Sequence, residues 1–152
     1  MDSIYNRIEI YLKAAYMHEH ASHANPRKQN GNARRKIRAY LQTSQEPCWI
    51  CKLPIDYSLG APNKLAMVAD ELVPVSMGGS PYTRSNVRAA HWVCNSWRST
   101  KPPQYVSVIY SMVYNVYHYS CSTPYDFVNC AKLIEKRNSK THSIFETVST
   151  DW

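Results

Sequence analysis

The stretches Pro47-Cys48-Trp49-Ile50-Cys51 and His91-Trp92-Val93-Cys94-Asn95 share one spacing, with two residues between one metal-ligand type and the next. That spacing lets both side chains of a tight turn or helix start point at one ion. Four nitrogen and sulfur donors complete the tetrahedron that structural Zn²⁺ prefers. Cys48, Cys51, His91 and Cys94 are therefore the expected zinc ligands. The chain holds five cysteines, an odd number, and its start places Arg7, Glu9 and Lys13 where an export signal needs an apolar run. Metal binding accounts for such cysteines better than a disulfide framework does. Cys121 and Cys130 lack the spacing and read as buried small hydrophobes.

The separation between the two ligand pairs is long for an isolated zinc finger, so something is inserted between them. Leu65 to Val75 is rich in strand formers, Gly78-Gly79-Ser80-Pro81 is a turn cluster, and Asn86 to Ala90 reads as a second short strand. His91 to Thr100 then reads as a helix, stopped by Lys101-Pro102-Pro103. The expected order is strand, loop, strand, helix, in an α+β fold.

Within this segment, Val68-Ala69-Asp70-Glu71-Leu72-Val73-Pro74-Val75-Ser76-Met77-Gly78-Gly79 is followed by Asn86-Val87-Arg88-Ala89-Ala90-His91-Trp92-Val93-Cys94-Asn95. These residues resemble the HNH endonuclease signature, in which an acidic-His pair, a proline, a Gly-Gly turn, an Asn and a final Cys-Asn recur in that order. The resemblance covers about a third of the chain. It is especially similar to bacteriophage HNH proteins with Asp-Glu at the acidic pair, and the ending Thr150-Asp151-Trp152 is also similar to theirs. The resemblance implies a small zinc-stabilised ββα-metal core, treble-clef-like, with flanking helices. It implies a metal-dependent DNA endonuclease, with Asp70 and Asn95 as protein ligands of a catalytic divalent ion. One carboxylate and one amide oxygen leave most of the coordination sphere to water and phosphate, which suits Mg²⁺, or Mn²⁺ or Ni²⁺ in its place. Asn86 matches the middle Asn of the signature, which implies a structural role in orienting the metal-binding loop.

Glu71 departs from the family pattern. Most members carry His there, and an imidazole with a reference pKa near 6.5 takes a proton from water more readily than a carboxylate with one about two units lower. Three readings stay open: Glu71 acts as general base, it becomes an additional metal ligand, or the site is weak or inactive. His91 also has two readings, and its spacing to Cys94 favours the structural zinc over the catalytic ion.

Counting Lys and Arg against Asp and Glu gives a net charge of −1 for residues 1–26, +8 for 27–101 and 0 for 102–152. A positive segment of that size favours a polyanion, because each phosphate neutralised releases a condensed counterion. Arg84, Arg88, Arg98 and Lys101 flank the expected metal site as candidate phosphate contacts. Arg34, Arg35, Lys36 and Arg38 would extend that footprint, or form a solvated helix face. Trp49, Trp92 and Trp97 read as core packing.

The remaining chain reads as helical. Residues 3–17 place Ile4, Ile8, Tyr11, Leu12 and Ala15 at amphipathic spacing, and Ala33 to Thr43 predicts a helix with Ile37, Tyr40 and Leu41 inward. The His18-Glu19-His20 and His23 tract lacks the spacing that aligns two imidazoles and reads as a polar helix end. Val106 to Val116 has apolar residues at every even position, as a strand would, but Ser107, Ser111 and Asn115 recur every four, which favours a helix. Thr123-Pro124-Tyr125-Asp126 predicts an N-cap, a first-turn proline and a first-turn acid opening a helix to about Arg137. The expected organisation is a helical extension with a basic segment over 1–46, the HNH core over 47–101 and a helical extension over 102–152. With no apolar run of eighteen residues, no membrane span is expected. The expected location is the cytoplasm, that of the host cell for a phage protein. Two further functions compete with nuclease activity: a zinc-stabilised DNA-binding protein without catalysis, and an interaction module serving phage DNA-packaging proteins.

Overall fold

The computed structural model describes residues 29–117 and 121–139, apart from the side chains of Tyr117 and Ser139. The expectations for residues 3–17, for His18 to His23 and for the ending Thr150-Asp151-Trp152 lie outside the described residues. Mixed α+β architecture is observed, with four α-helices and one two-stranded sheet among the described residues. The elements are α1 (Gly31–Ser44), β1 (Met67–Glu71), a 3-10 turn (Val75–Met77), β2 (Val87–His91), α2 (Trp92–Arg98), α3 (Pro103–Tyr117) and α4 (Pro124–Ser139). No helix among the described residues is long and apolar enough to cross a membrane. The chain divides into two compact units, Met1–Glu46 with Val68–Ala89, and Pro47–Met67 with Ala90–Trp152, so the 47–101 segment contributes to both.

In the first unit, α1 opens where Asn30 accepts a hydrogen bond from the Ala33 amide at 2.9 Å. This satisfies one of the donors that a helix start leaves unpaired. It closes at Gln45, whose left-handed backbone (φ 46) lets its amide reach the Leu41 carbonyl. The helix buries Ile37 and Leu41, and the unit also buries Ala69, Val75, Pro81, Val87 and Ala89. The loop before β2 lies against α1: the Asn30 amide donates to the Tyr82 hydroxyl at 3.1 Å, and the Arg84 guanidinium stacks 4.3 Å from the Tyr40 ring centroid.

β1 and β2 run antiparallel, since the Leu72 amide bonds to the Asn86 carbonyl at one end and the Trp92 amide to the Ala66 carbonyl at the other. Only Val68 on β1 and Arg88 on β2 are less than buried. Both faces of the hairpin are therefore covered, which explains why its sequence does not alternate.

In the second unit, α4 packs against both α2 and α3. Val106, Ile109 and Val113 are the buried residues of α3, at three- and four-residue spacing. Of the even-numbered apolar residues only Val106 is buried, Tyr110 is half-buried, and Val108, Met112, Tyr114 and Val116 are exposed, so the strand-like period does not mark one buried face. Thr123 and Asp126 cap α4 reciprocally, with the Asp126 amide bonded to the Thr123 hydroxyl and the Thr123 amide to the Asp126 carboxylate at 2.9 Å. Trp97 is buried, edge-on to Phe127 at 5.7 Å, and its indole N–H donates to Glu135 at 3.2 Å.

Candidate metal centre and hairpin site

The two ligand pairs come together in the second unit. Cys48 and Cys51 flank a tight turn in which the Lys52 amide bonds to the Cys48 carbonyl and the Cys48 amide to the Leu53 carbonyl. Lys52 holds a left-handed backbone (φ 62), which turns the chain back beneath the thiols. His91 ends β2 and is also the N-cap of α2, with Cys94 in that helix's first turn. All four residues are buried, and their ligand atoms lie within 4.8 Å of one another.

The donor set fits zinc. Zinc–sulfur and zinc–nitrogen bonds of about 2.3 and 2.05 Å at a tetrahedral angle place S and N about 3.6 Å apart. The Cys51 Sγ to His91 Nδ1 distance is 3.5 Å, and Cys94 Sγ to His91 Nδ1 is 3.9 Å. His91 Nε2 lies 3.0 Å from the Pro54 carbonyl oxygen. A carbonyl can only accept, so Nε2 carries the proton and Nδ1 presents its lone pair to the thiols. This is the outer hydrogen bond that fixes the tautomer and orientation of a metal-binding imidazole. The thiols themselves call for a cation. Burial opposes the charged form of Cys48, but hydrogen bonds from the neighbouring Cys51 and Cys94 thiols outweigh it and lower its pKa. The Cys48 partner pushes Cys51 up to about 12, and Cys48 and Cys51 together push Cys94 up. Three thiolates crowded in one buried site are stable only when an ion balances their charge.

Asp70 and Glu71 end β1 in the first unit, 4% and 3% exposed. Asn86 stands just before β2. Its side chain accepts from the Val73 amide at 2.9 Å and donates to the Val73 and Ser80 carbonyls at 3.1 and 2.9 Å. One amide thus closes the loop after Glu71 on both of its flanks. Gly79 completes this latch: a Cβ there would lie 1.8 Å from the Val73 carbonyl oxygen and 2.9 Å from Asn86 Nδ2. Gly78, at φ 84, makes the left-handed turn that precedes it. Asn95 lies half-buried on α2, in the second unit. Among the described residues, the Cys48, Cys51, His91 and Cys94 cluster is the one group of three or more His, Cys, Asp or Glu side chains placed to hold an ion. A site of one carboxylate and one amide falls outside that kind of group.

The basic candidates divide. Arg35, Lys36, Arg38 and Arg84 are exposed, and Arg88 is half-buried with its guanidinium bonded to the Arg84 and Val87 carbonyls. Arg98 is a correction: expected at a phosphate, it is 1% exposed, donates from Nε to the Lys101 carbonyl at 3.0 Å and stacks 5.2 Å from the Trp49 ring centroid. Lys101 donates to the Trp97 carbonyl at 2.6 Å and lies 3.7 Å from Glu135, so it ties the end of α2 to α4. Arg34, expected to point outward, donates to Glu71 at 2.7 Å. The sequence reading missed this pair, since 37 positions separate its members and no spacing rule links them. Trp97 is buried as expected, whereas Trp49 and Trp92 are half-buried beneath the Arg98 and Lys64 cations. Cys130 is buried, while Cys121 is only partly so, and their sulfurs lie 3.0 Å apart. No protein-family description, curated protein or solved structure matches the chain.

Proposed function

We propose that this chain is a metal-dependent DNA endonuclease of the HNH type, with a zinc-stabilised ββα-metal core, encoded by a bacteriophage. The observation that carries the reading is the Asn86 latch, because its three hydrogen bonds to the loop after Glu71 are the kind of support that the HNH resemblance assigns to the middle Asn. The order β1, loop, β2, α2, with a buried carboxylate at Asp70, also supports it. In this reading Asp70 and Asn95 supply hard oxygen ligands for Mg²⁺, Mn²⁺ or Ni²⁺. A divalent ion there would polarise a phosphoryl oxygen and make bound water more acidic. Glu71 accepts the proton of the attacking water or assists the ion, and Arg35, Lys36, Arg38, Arg84 and Arg88 hold backbone phosphates, which position the duplex without reading its sequence.

The Arg34 contact with Glu71 favours a second reading, since it engages the carboxylate that would act as base. The protein would then be a zinc-stabilised DNA-binding or DNA-packaging accessory without catalysis. Incubating supercoiled plasmid with the purified protein and each divalent ion separates the two. Metal-dependent nicking that falls about 10²-fold or more in Asp70→Ala is expected. Nicking that persists in Asp70→Ala overturns the site, and cutting gained only in Glu71→His supports the second reading.

A further inference from the structure

Arg34 stands at a junction. Its Nη1 lies 2.7 Å from Glu71 Oε1, and 21% of its side chain is exposed against 4% for Glu71. The same residue lines an open concavity of about 440 Å³ on α1, together with Arg35, Arg38 and Gln42. No acid occupies the first turn of α1 to oppose an anion there. A guanidinium carries five N–H donors in a planar fork, and carboxylates and phosphates fit that fork alike. Arg34 therefore presents one edge to a buried carboxylate while its exposed part faces a concavity lined by two more arginines.

We propose that Arg34 is a cation shared between Glu71 and a DNA backbone phosphate. Without DNA it pairs with Glu71. A phosphate seated against Arg35 and Arg38 draws it outward, so that occupation of α1 by DNA breaks the Arg34 contact with the carboxylate at the end of β1. Arg34 is thus a positioning residue, and the proposal deepens the DNA-acting reading on which it rests. Because coupling between two sites is reciprocal, removing the charge of Glu71 must tighten DNA binding, and it must do so through Arg34.

The test measures binding of a short DNA duplex to the zinc-loaded full chain, without added divalent ion, over a range of salt concentrations. Glu71→Gln is expected to bind about fivefold tighter than the wild type or more, and Arg34→Gln to bind more weakly with a salt slope shallower by about one. In the Arg34→Gln background, Glu71→Gln is expected to change nothing beyond the small general effect of one charge. An equal effect of Glu71→Gln in both backgrounds overturns the proposal, as does an Arg34→Gln protein with wild-type affinity and slope. If Arg34→Gln does not fold, Arg34→Lys replaces it, since an ammonium lacks the planar fork that pairs with a carboxylate or phosphate through two bonds at once. Coupling undiminished in Arg34→Lys then overturns the proposal, and so does a wild-type protein that binds no DNA. Coupling without any plasmid cleavage sinks the nuclease reading alone, and cleavage with additive variants sinks the role of Arg34 alone.

Discussion

Asn86 and Gly79 form one device. Asn86 satisfies an amide and two carbonyls of the loop after β1, and the missing side chain of Gly79 lets the Val73 carbonyl pass. Asn86→Ala leaves those groups without their partner and is expected to cost about 2–3 kcal/mol in urea unfolding. Gly79→Ala is expected to cost about 3 kcal/mol, since the obstructing atom is backbone and cannot swing away. A loss under 0.5 kcal/mol for both would show that the latch is not needed. The signature order made Asn86 and the Gly-Gly turn legible in advance. Arg98 and Arg34 were not legible, because a basic residue in a list gives no hint that a tryptophan face or a buried carboxylate waits for it in the fold. Charge in sequence is a sum, whereas a partner is a position.

Among the helices α4 is the most legible, because its start carries its own chemistry. Thr123 and Asp126 predict the opening of α4, and the reciprocal hydrogen bonds are found there. The Thr123 hydroxyl, ahead of its amide and Ser122, holds the Asp126 carboxyl below the usual carboxylate range. A carboxyl depressed in the folded state stabilises above its unfolded pKa, and that contribution is lost as pH falls through the folded value. The amide resonance of Thr123 is expected to titrate with a midpoint below that of an unperturbed aspartate, and Asp126→Asn to abolish the titration. A midpoint at the ordinary value would remove the cap's electrostatic role. Strands were less legible. The expected Leu65 to Val75 contracts to Met67–Glu71 because Pro74 starts a 3-10 turn and the Asn86 latch takes the amide of Val73. In α3 the polar recurrence every four residues is the informative pattern, since the buried residues Val106, Ile109 and Val113 follow helical spacing.

For the whole molecule, the four-ligand cluster is legible because paired spacing in sequence translates directly into convergence in space. Bound zinc contributes on the order of 10 kcal/mol in proteins that depend on it. Chelation is therefore expected to abolish cooperative melting and zinc addition to restore it, with about one zinc per chain by elemental analysis and none in Cys48→Ser. Melting unaffected by chelation would show that packing alone sustains the fold.

The ligand pairs also stand on either side of residues 52–90, so an ion between them fastens two distant points of one chain. Lys64 lies exposed inside that span. Trypsin cutting after Lys64 would separate the first ligand pair from the second in covalent terms, yet the ion would still join the fragments. A nicked chain should travel as a single mass under native conditions and part into two only when the metal is withdrawn. The cluster then acts as a clasp that keeps a severed polypeptide one molecule, and early separation of the fragments would show that it does not.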